Sequence, residues 1–293
     1  MKFTVIFLSI ILVGFIGLYF SQNNNFQSNV SETPTVSPVA INTNVNWGLF
    51  NQINDDKTQQ IESLIGGIIP HHLVAARLIN DFFTRQSNKE NIKHVVFVTP
   101  NHNGLGNGII TTTANFNSSF RVLKSDEQII QNLLSQKLVN LDDAVISQEF
   151  AITTMVPFIA KYYPNALITP IIIKRGTNLI ELENLANQLA SLLDPVDCVI
   201  LISVDAAHEV DPITAEVHDQ ELVENIRSSN ISSILKYQND YVDSPESIVL
   251  LLLTLQKWGK FDPILFNESD SSIENGLPYN KVTSYIEMGF QHE

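Results

Sequence analysis

"VVFVTPNHNGLG", residues 95–106, carries an imidazole at the exit of an apolar run and then a glycine-rich loop. The run is continuous rather than alternating, the pattern of a strand covered on both faces. Ser or Gly would turn the corner after such a strand at lower cost, so His102 raises a question of chemistry. The loop is not a phosphate cradle, because it lacks the Lys and the following helix signal such loops need.

Working outward, the same texture recurs. "SLIGGIIP" (63–70), "HVVFVT" (94–99), "ALITPIIIK" (166–174), "CVILISV" (198–204) and "KVTSYIEMGF" (281–290) all read as strands. Helical patterns separate them at 71–84, 124–137, 178–193, 214–228 and 245–258. In "TNLIELENLANQLASLL" the apolar positions 179, 180, 182, 185, 189, 192 and 193 recur at three and four. Thr177 or Asn178 is its candidate cap. Strands alternating with helices predict an α/β domain, with a central mostly parallel or mixed sheet and helices on both faces. In such sheets functional groups gather at the carboxyl ends of strands.

The chain has 293 residues, 44% of them hydrophobic, enough for a substantial core. A formal charge of −14 excludes the clustered basic surface that nucleic acid requires. The single cysteine, Cys198, rules out an internal disulfide and a Cys-rich zinc site, and its apolar run marks it as a small buried hydrophobe.

The N-terminus has its own character. Residues 3–20, "FTVIFLSIILVGFIGLYF", are uncharged, which predicts a transmembrane anchor or a secretory signal within residues 1–20. The exit "LYFSQNNN" shows no clear small-x-small cleavage site. The expectation is therefore membrane attachment through an N-terminal helix, with the domain exported on the side opposite Lys2, or secretion if residues 1–20 are cleaved. Residues 21–45, rich in Asn, Ser, Thr and Pro, read as a polar disordered linker. The α/β domain then occupies residues 46–293.

Three loops at the expected functional edge carry unusual residues: "PHH" (70–72), "TPNH" (99–102) and "SVDAAH" (203–208). A single histidine after a strand is more often structural. Several at one topological edge point to metal ligation or acid–base work. His72, His94, His218 and His292 read as supporting, structural, solvated and terminal, respectively.

The ordered set "IIPHH", "VVFVTPNHNGLG", "SQEFAITTMVPFIAKYYPNALITPIII", "ILISVDAAH" and "NESDSSIENGLPYNKVTSYIEMGF" resembles the Memo-like family. Its bacterial and archaeal members are called AmmeMemoRadiSam system protein B. The resemblance spans about residues 63 to 290. It implies the fold of class III extradiol ring-cleaving dioxygenases, in which two histidines and a carboxylate hold a non-haem iron. His71 and His102 match the family's two histidine ligands, with Thr99 where glycine is usual. "SVDAAH" matches its Ser-Ser-Asp-x-x-His segment and gives Asp205 and His208, the latter an acid/base by analogy. "VISQEF" matches its Glu-His-Ser-x-Glu stretch, with Glu149 retained and Val145 and Ile146 replacing two polar groups. "ESDSS" (268–272) resembles a family turn that would set Ser269 and Asp270 beside the pocket, and it reads equally as an ordinary polar turn.

The usual Cys-Gly at the head of a late helix corresponds to "YVDSPESIVLLLLTLQKWG" (241–259), with Asp243 or Ser244 at the cysteine position. A carboxylate is the better ligand, so Asp243 is the third candidate. It also suits a helix cap, and the two roles exclude one another. The implied metal set is His71, His102 and Asp243, with His208, Asp205 and Glu149 as catalytic neighbours. The implied cofactor is a divalent metal ion, Fe2+ first and Cu or Zn as alternatives. The chemistry implied is metal-dependent redox or dioxygenase-type work on a small-molecule substrate, with metal-assisted hydrolysis open to the same ligands. The rival reading is a non-catalytic binding or scaffold protein that keeps the fold.

Overall fold

In the strand His94–Pro100, side chains divide strictly by parity. Val95 and Phe97 enter one core and Val96 and Val98 enter the other. A strand's period of two makes this inevitable once both faces are covered, and it explains why the run is apolar throughout. The computed structural model describes residues 40–43, 60, 61 and 63–292.

The described strands are β1 (Ala40–Asn42), β2 (Leu64–Ile69), β3 (His94–Pro100), β4 (Ile110–Thr111), β5 (Asn115–Asn117) and β6 (Val122–Leu123). They continue as β7 (Asn140–Leu141), β8 (Leu167–Ile173), β9 (Cys198–Ser203), β10 (Phe261–Asp270) and β11 (Ser284–His292). The main sheet runs β10-β11-β2-β9-β3-β8-β4-β7. Its centre, β2-β9-β3-β8, is parallel throughout. Antiparallel strands β10, β11 and β4 flank it. A small second sheet joins β1, β5 and β6. The chain is thus α/β with a mixed sheet, as its sequence predicts.

One face of the sheet is covered by α1 (Ala76–Arg85) and, after the intervening helices α2 (Glu127–Ser135) and α3 (Asp143–Gln148), by α4 (Phe150–Tyr162). The other face takes α2, α5 (Leu179–Leu192), α6 (Pro212–Arg227) and α8 (Pro245–Trp258). Between α6 and α8 lies the short α7 (Ile231–Ile234), and α9 (Ser271–Asn275) follows β10. Adjacent glycines in β2 let both layers close in. A Cβ on Gly67 would meet the Phe82 ring of α1 at 2.1 Å, and one on Gly66 would meet Leu251 of α8 at 2.9 Å. Asn178 caps α5 with a reciprocal capping box through Glu181. Cys198 is fully buried in β9.

The five expected strands and five expected helices are all present. α1 begins later than its pattern, because His72 is extended and Leu73–Ala75 form a single 3-10 turn. β10, the two-residue strands and the α3–α4 pair are additions. Ala40–Asn42, within the stretch read as linker, pairs in parallel with Asn115–Asn117.

The expected membrane attachment requires correction. Among the described residues no helix is long and apolar enough to cross a membrane. The most extensively buried helix, α8, has 14 residues, about 21 Å of rise against a hydrocarbon core of about 30 Å, and it is packed inside the domain. Residues 3–20 lie outside the described residues. The transmembrane anchor, the N-terminal membrane contact and the exported or secreted location therefore find no support and take no part in the functional reading.

Candidate metal centre

Four neighbouring parallel strands end at one edge of the sheet, and each delivers a functional side chain two residues past its last pair. β2 gives His71, β9 gives Asp205, β3 gives His102 and β8 gives Arg175. Parallel strands in register, roughly 4.8 Å apart, bring equivalent positions side by side without further device. The fifth element is the entry to α8, where Asp243 precedes the N-cap.

These residues converge. The Nε2 atom of His71 lies 3.4 Å from Asp243 Oδ2, and that of His102 lies 3.7 Å from the same oxygen. The two rings meet edge to face, 4.9 Å between centroids. Ligand atoms about 2.1 Å from a shared ion are about 3.0–3.4 Å apart, so this spacing suits a common cation with little movement. His71, His102 and Asp243 form one group able to hold a metal, and Asp205, His208 and Asp243 form a second.

The surroundings orient each ligand. His102 Nδ1 is 2.7 Å from Glu149 Oε1, while Glu149 Oε2 accepts the His102 backbone N–H at 2.9 Å. His71 Nδ1 is 3.3 Å from the Ser203 carbonyl. Both Nδ1 atoms have an acceptor, so both Nε2 atoms are turned toward the Asp243 carboxylate, the orientation metal-binding histidines need. Asp205 Oδ1 accepts the His71 backbone N–H at 3.1 Å, and the Asp205 N–H donates to Asp243 Oδ2 at 3.2 Å. Arg175 donates to the carbonyls of Tyr237, Val242 and Asp243, fixing the segment before α8.

Asp243 is not the cap of α8. That position belongs to Ser244, which makes no side-chain capping bond. The alternatives left by the sequence thus separate: the Asp243 side chain turns into the cluster.

Charge and burial act against each other here. Burial lowers the affinity of His102 for a proton, but its bonds to Asp243 and Glu149 and their charges outweigh this and raise its pKa to about 9. Burial would raise the Asp205 carboxyl, yet the neighbouring His71 charge and the His72 contact pull it down to about 2. Glu149 is lowered despite burial, chiefly by its bond to His102. His72 is raised by its contact with Asp205 Oδ2 at 2.8 Å, which has ion-pair distance without hydrogen-bond alignment.

Two side chains escaped the sequence reading. Phe150 follows Glu149 directly, and its ring lies 4.3 Å from His102 and 5.2 Å from His71 by centroids. Val145 and Ile146, by contrast, are buried in the core of the α1–α4 face. The second is Arg175, legible only as the two-past-the-strand position of "ALITPIIIK". His72 supports Asp205 as expected, and His94 pairs with Asp126 at 2.6 Å. Ser269 and Asp270 are not part of either metal-capable group. They line a separate cavity of about 260 Å³ with Asp219 and Ser284, and Asp270 caps α9.

A family profile described as Memo-like protein matches residues 43–288. The chain belongs to the Memo-like family. No curated protein matches. A crystal structure of uncharacterized protein JW3007 from Escherichia coli K12 is similar at 12% identity, covering 76% of this chain and 99% of that one, with a TM-score of 0.45. That likeness is too distant to bear on chemistry. Within this Memo-like domain the Asp243 carboxylate faces the two histidines.

Proposed function

We propose that this Memo-like chain binds a divalent metal ion through His71, His102 and Asp243 and carries out metal-dependent redox chemistry, of dioxygenase type, on a small molecule. One observation carries the reading. Among the described residues the buried His71 Nε2 has no hydrogen-bond partner, although its neighbours are held in place by specific bonds, and it faces Asp243 Oδ2 at 3.4 Å. An orphaned buried polar atom is costly, and a cation between it and that oxygen removes the cost.

Two imidazoles and one carboxylate suit Fe2+ with positions left open, and the same set accepts Cu or Zn. A metal ion bound there would supply Lewis acidity and, in the case of iron, a redox couple. The protein's own contribution is orientation. Glu149 holds the His102 ring, the Ser203 carbonyl holds His71, and Asp205 links the His71 and Asp243 backbones. Phe150, itself partly exposed, sets an apolar ring beside both imidazoles. His208, whose Nδ1 lies 2.7 Å from the Ala206 carbonyl, presents Nε2 to take a proton from a bound molecule.

The test is metal content by mass spectrometry on the full chain purified anaerobically, beside His102→Ala and Asp243→Ala. At least one equivalent of iron, copper or zinc in the wild type, lost from both variants, is the expected result. A wild type that stays empty after titration with each ion would instead favour a binding or scaffold role on the same fold.

A further inference from the structure

We infer that the pocket takes a second divalent cation, held by Asp205, His208 and Asp243, with the Asp243 carboxylate bridging the two ions. This rests on the metal reading above and deepens it. The three side chains offer ligand atoms within 4.8 Å of one another, and Asp243 is common to both groups.

The two oxygens of Asp243 are not equivalent. Oδ2 faces His71 and His102 and accepts the Asp205 N–H. Among the described residues Oδ1 is buried and has no hydrogen-bond partner, while Asp205 Oδ2 lies 2.8 Å from His72 Nδ1. An ion on the histidine side satisfies Oδ2 and leaves Oδ1 unmet. His208 supplies the missing donor set: with Nδ1–H given to the Ala206 carbonyl, its Nε2 lone pair is available for a metal. Asp205 and His208 sit on one short loop after β9, so both ligands come from a single rigid exit.

Asp205 and Asp243 are both buried, and Arg175 uses its guanidinium on three backbone carbonyls, not on these carboxylates. Carboxylate-bridged pairs lie about 3.5–4 Å apart and clamp both sides of a displacement, so the doubly loaded pocket suits hydrolysis of a small ester or phosphoester. In that state His208 is a ligand, and its proton-accepting role belongs to the singly loaded protein.

The experiment strips the full chain with a chelator and titrates it with Mn2+, followed by calorimetry and electron paramagnetic resonance. The expected wild type takes two equivalents, and the second replaces the isolated six-line signal with an exchange-coupled spectrum. His208→Gln and His208→Ala, checked for native circular dichroism, should stop at one equivalent with the tighter step unchanged and the six-line signal intact. A wild type that stops at one equivalent overturns the second site alone. Two coupled ions in both His208 variants also overturn it. No uptake at all overturns it together with the reading on which it rests.

Discussion

Two buried clusters of charge in this domain are completed in different ways. Beside α1, Arg85 donates to Asp81 and to Glu287, and Asn267 donates to both carboxylates as well. Both Glu287 oxygens have a donor. At the carboxyl ends of β2 and β9 and the entry to α8, the set of His71, Asp205 and Asp243 is also bonded, yet among the described residues His71 Nε2 and Asp243 Oδ1 stay buried without hydrogen-bond partners. A closed cluster supports the fold and needs nothing further. An open one at a strand edge is the place where a ligand completes the structure.

The comparison breaks most visibly at Arg85. Arg85→Met should strip Asp81 and the buried Glu287 of their guanidinium, leaving the Asn267 amide on both, and destabilise the domain by about 3 kcal/mol in urea unfolding. Metal uptake should be unchanged. Lost uptake with unaltered stability would erase the division between the clusters.

Next in size is a pH effect. Burial and the charge of Asp81 push the Glu287 carboxyl up to about 8, more than Arg85 and Asn267 pull it down. A folded-state pKa above the unfolded one gives stability present below the ordinary glutamate value of 4.5 and lost as pH rises through about 8. Glu287→Gln should flatten that decline, by on the order of a few kcal/mol, in unfolding curves taken from pH 4.5 to 8.5.

The open cluster is sharpened by Glu149→Gln. Weakening the group that orients His102 should lower metal affinity roughly 10–100-fold, or about 1.4–2.7 kcal/mol, with little change in the melting temperature. Asn178→Ala is the smallest effect and the control. Losing the α5 capping box should cost about 1 kcal/mol of stability and leave the metal stoichiometry untouched.

Legibility followed burial. The central strands are apolar on both faces, so composition alone announces them. β10 is mostly half-buried at the sheet edge and carries Pro263, Asn267, Glu268 and Asp270, which disguise it as a polar turn. α4 holds Pro157 inside it and is separated from α3 by Glu149 alone, which caps it, so its periodicity is cut at both places. His71, His102 and Asp205 could be read because parallel strands deliver them to one edge by a rule. That Asp243 faces them depends on the path of the 205–245 segment and on the carbonyl clamp of Arg175, which no local pattern encodes. Phe150 was hidden for a similar reason: an aromatic at a helix start reads as core until the histidine rings are seen beside it.

The strand Ala40–Asn42 has a practical consequence. The family match begins at residue 43, one position beyond it. Ile41 is buried, and Thr43 bonds twice to the Asn117 carbonyl, through its N–H and its hydroxyl. A chain trimmed to the family boundary would leave Asn115–Asn117 with a bare edge above Phe116, a template for pairing with another copy. Preparations beginning after residue 43 should therefore self-associate where those beginning before residue 38 do not, and crystals grown from the shorter form would record an intermolecular sheet in place of the native one.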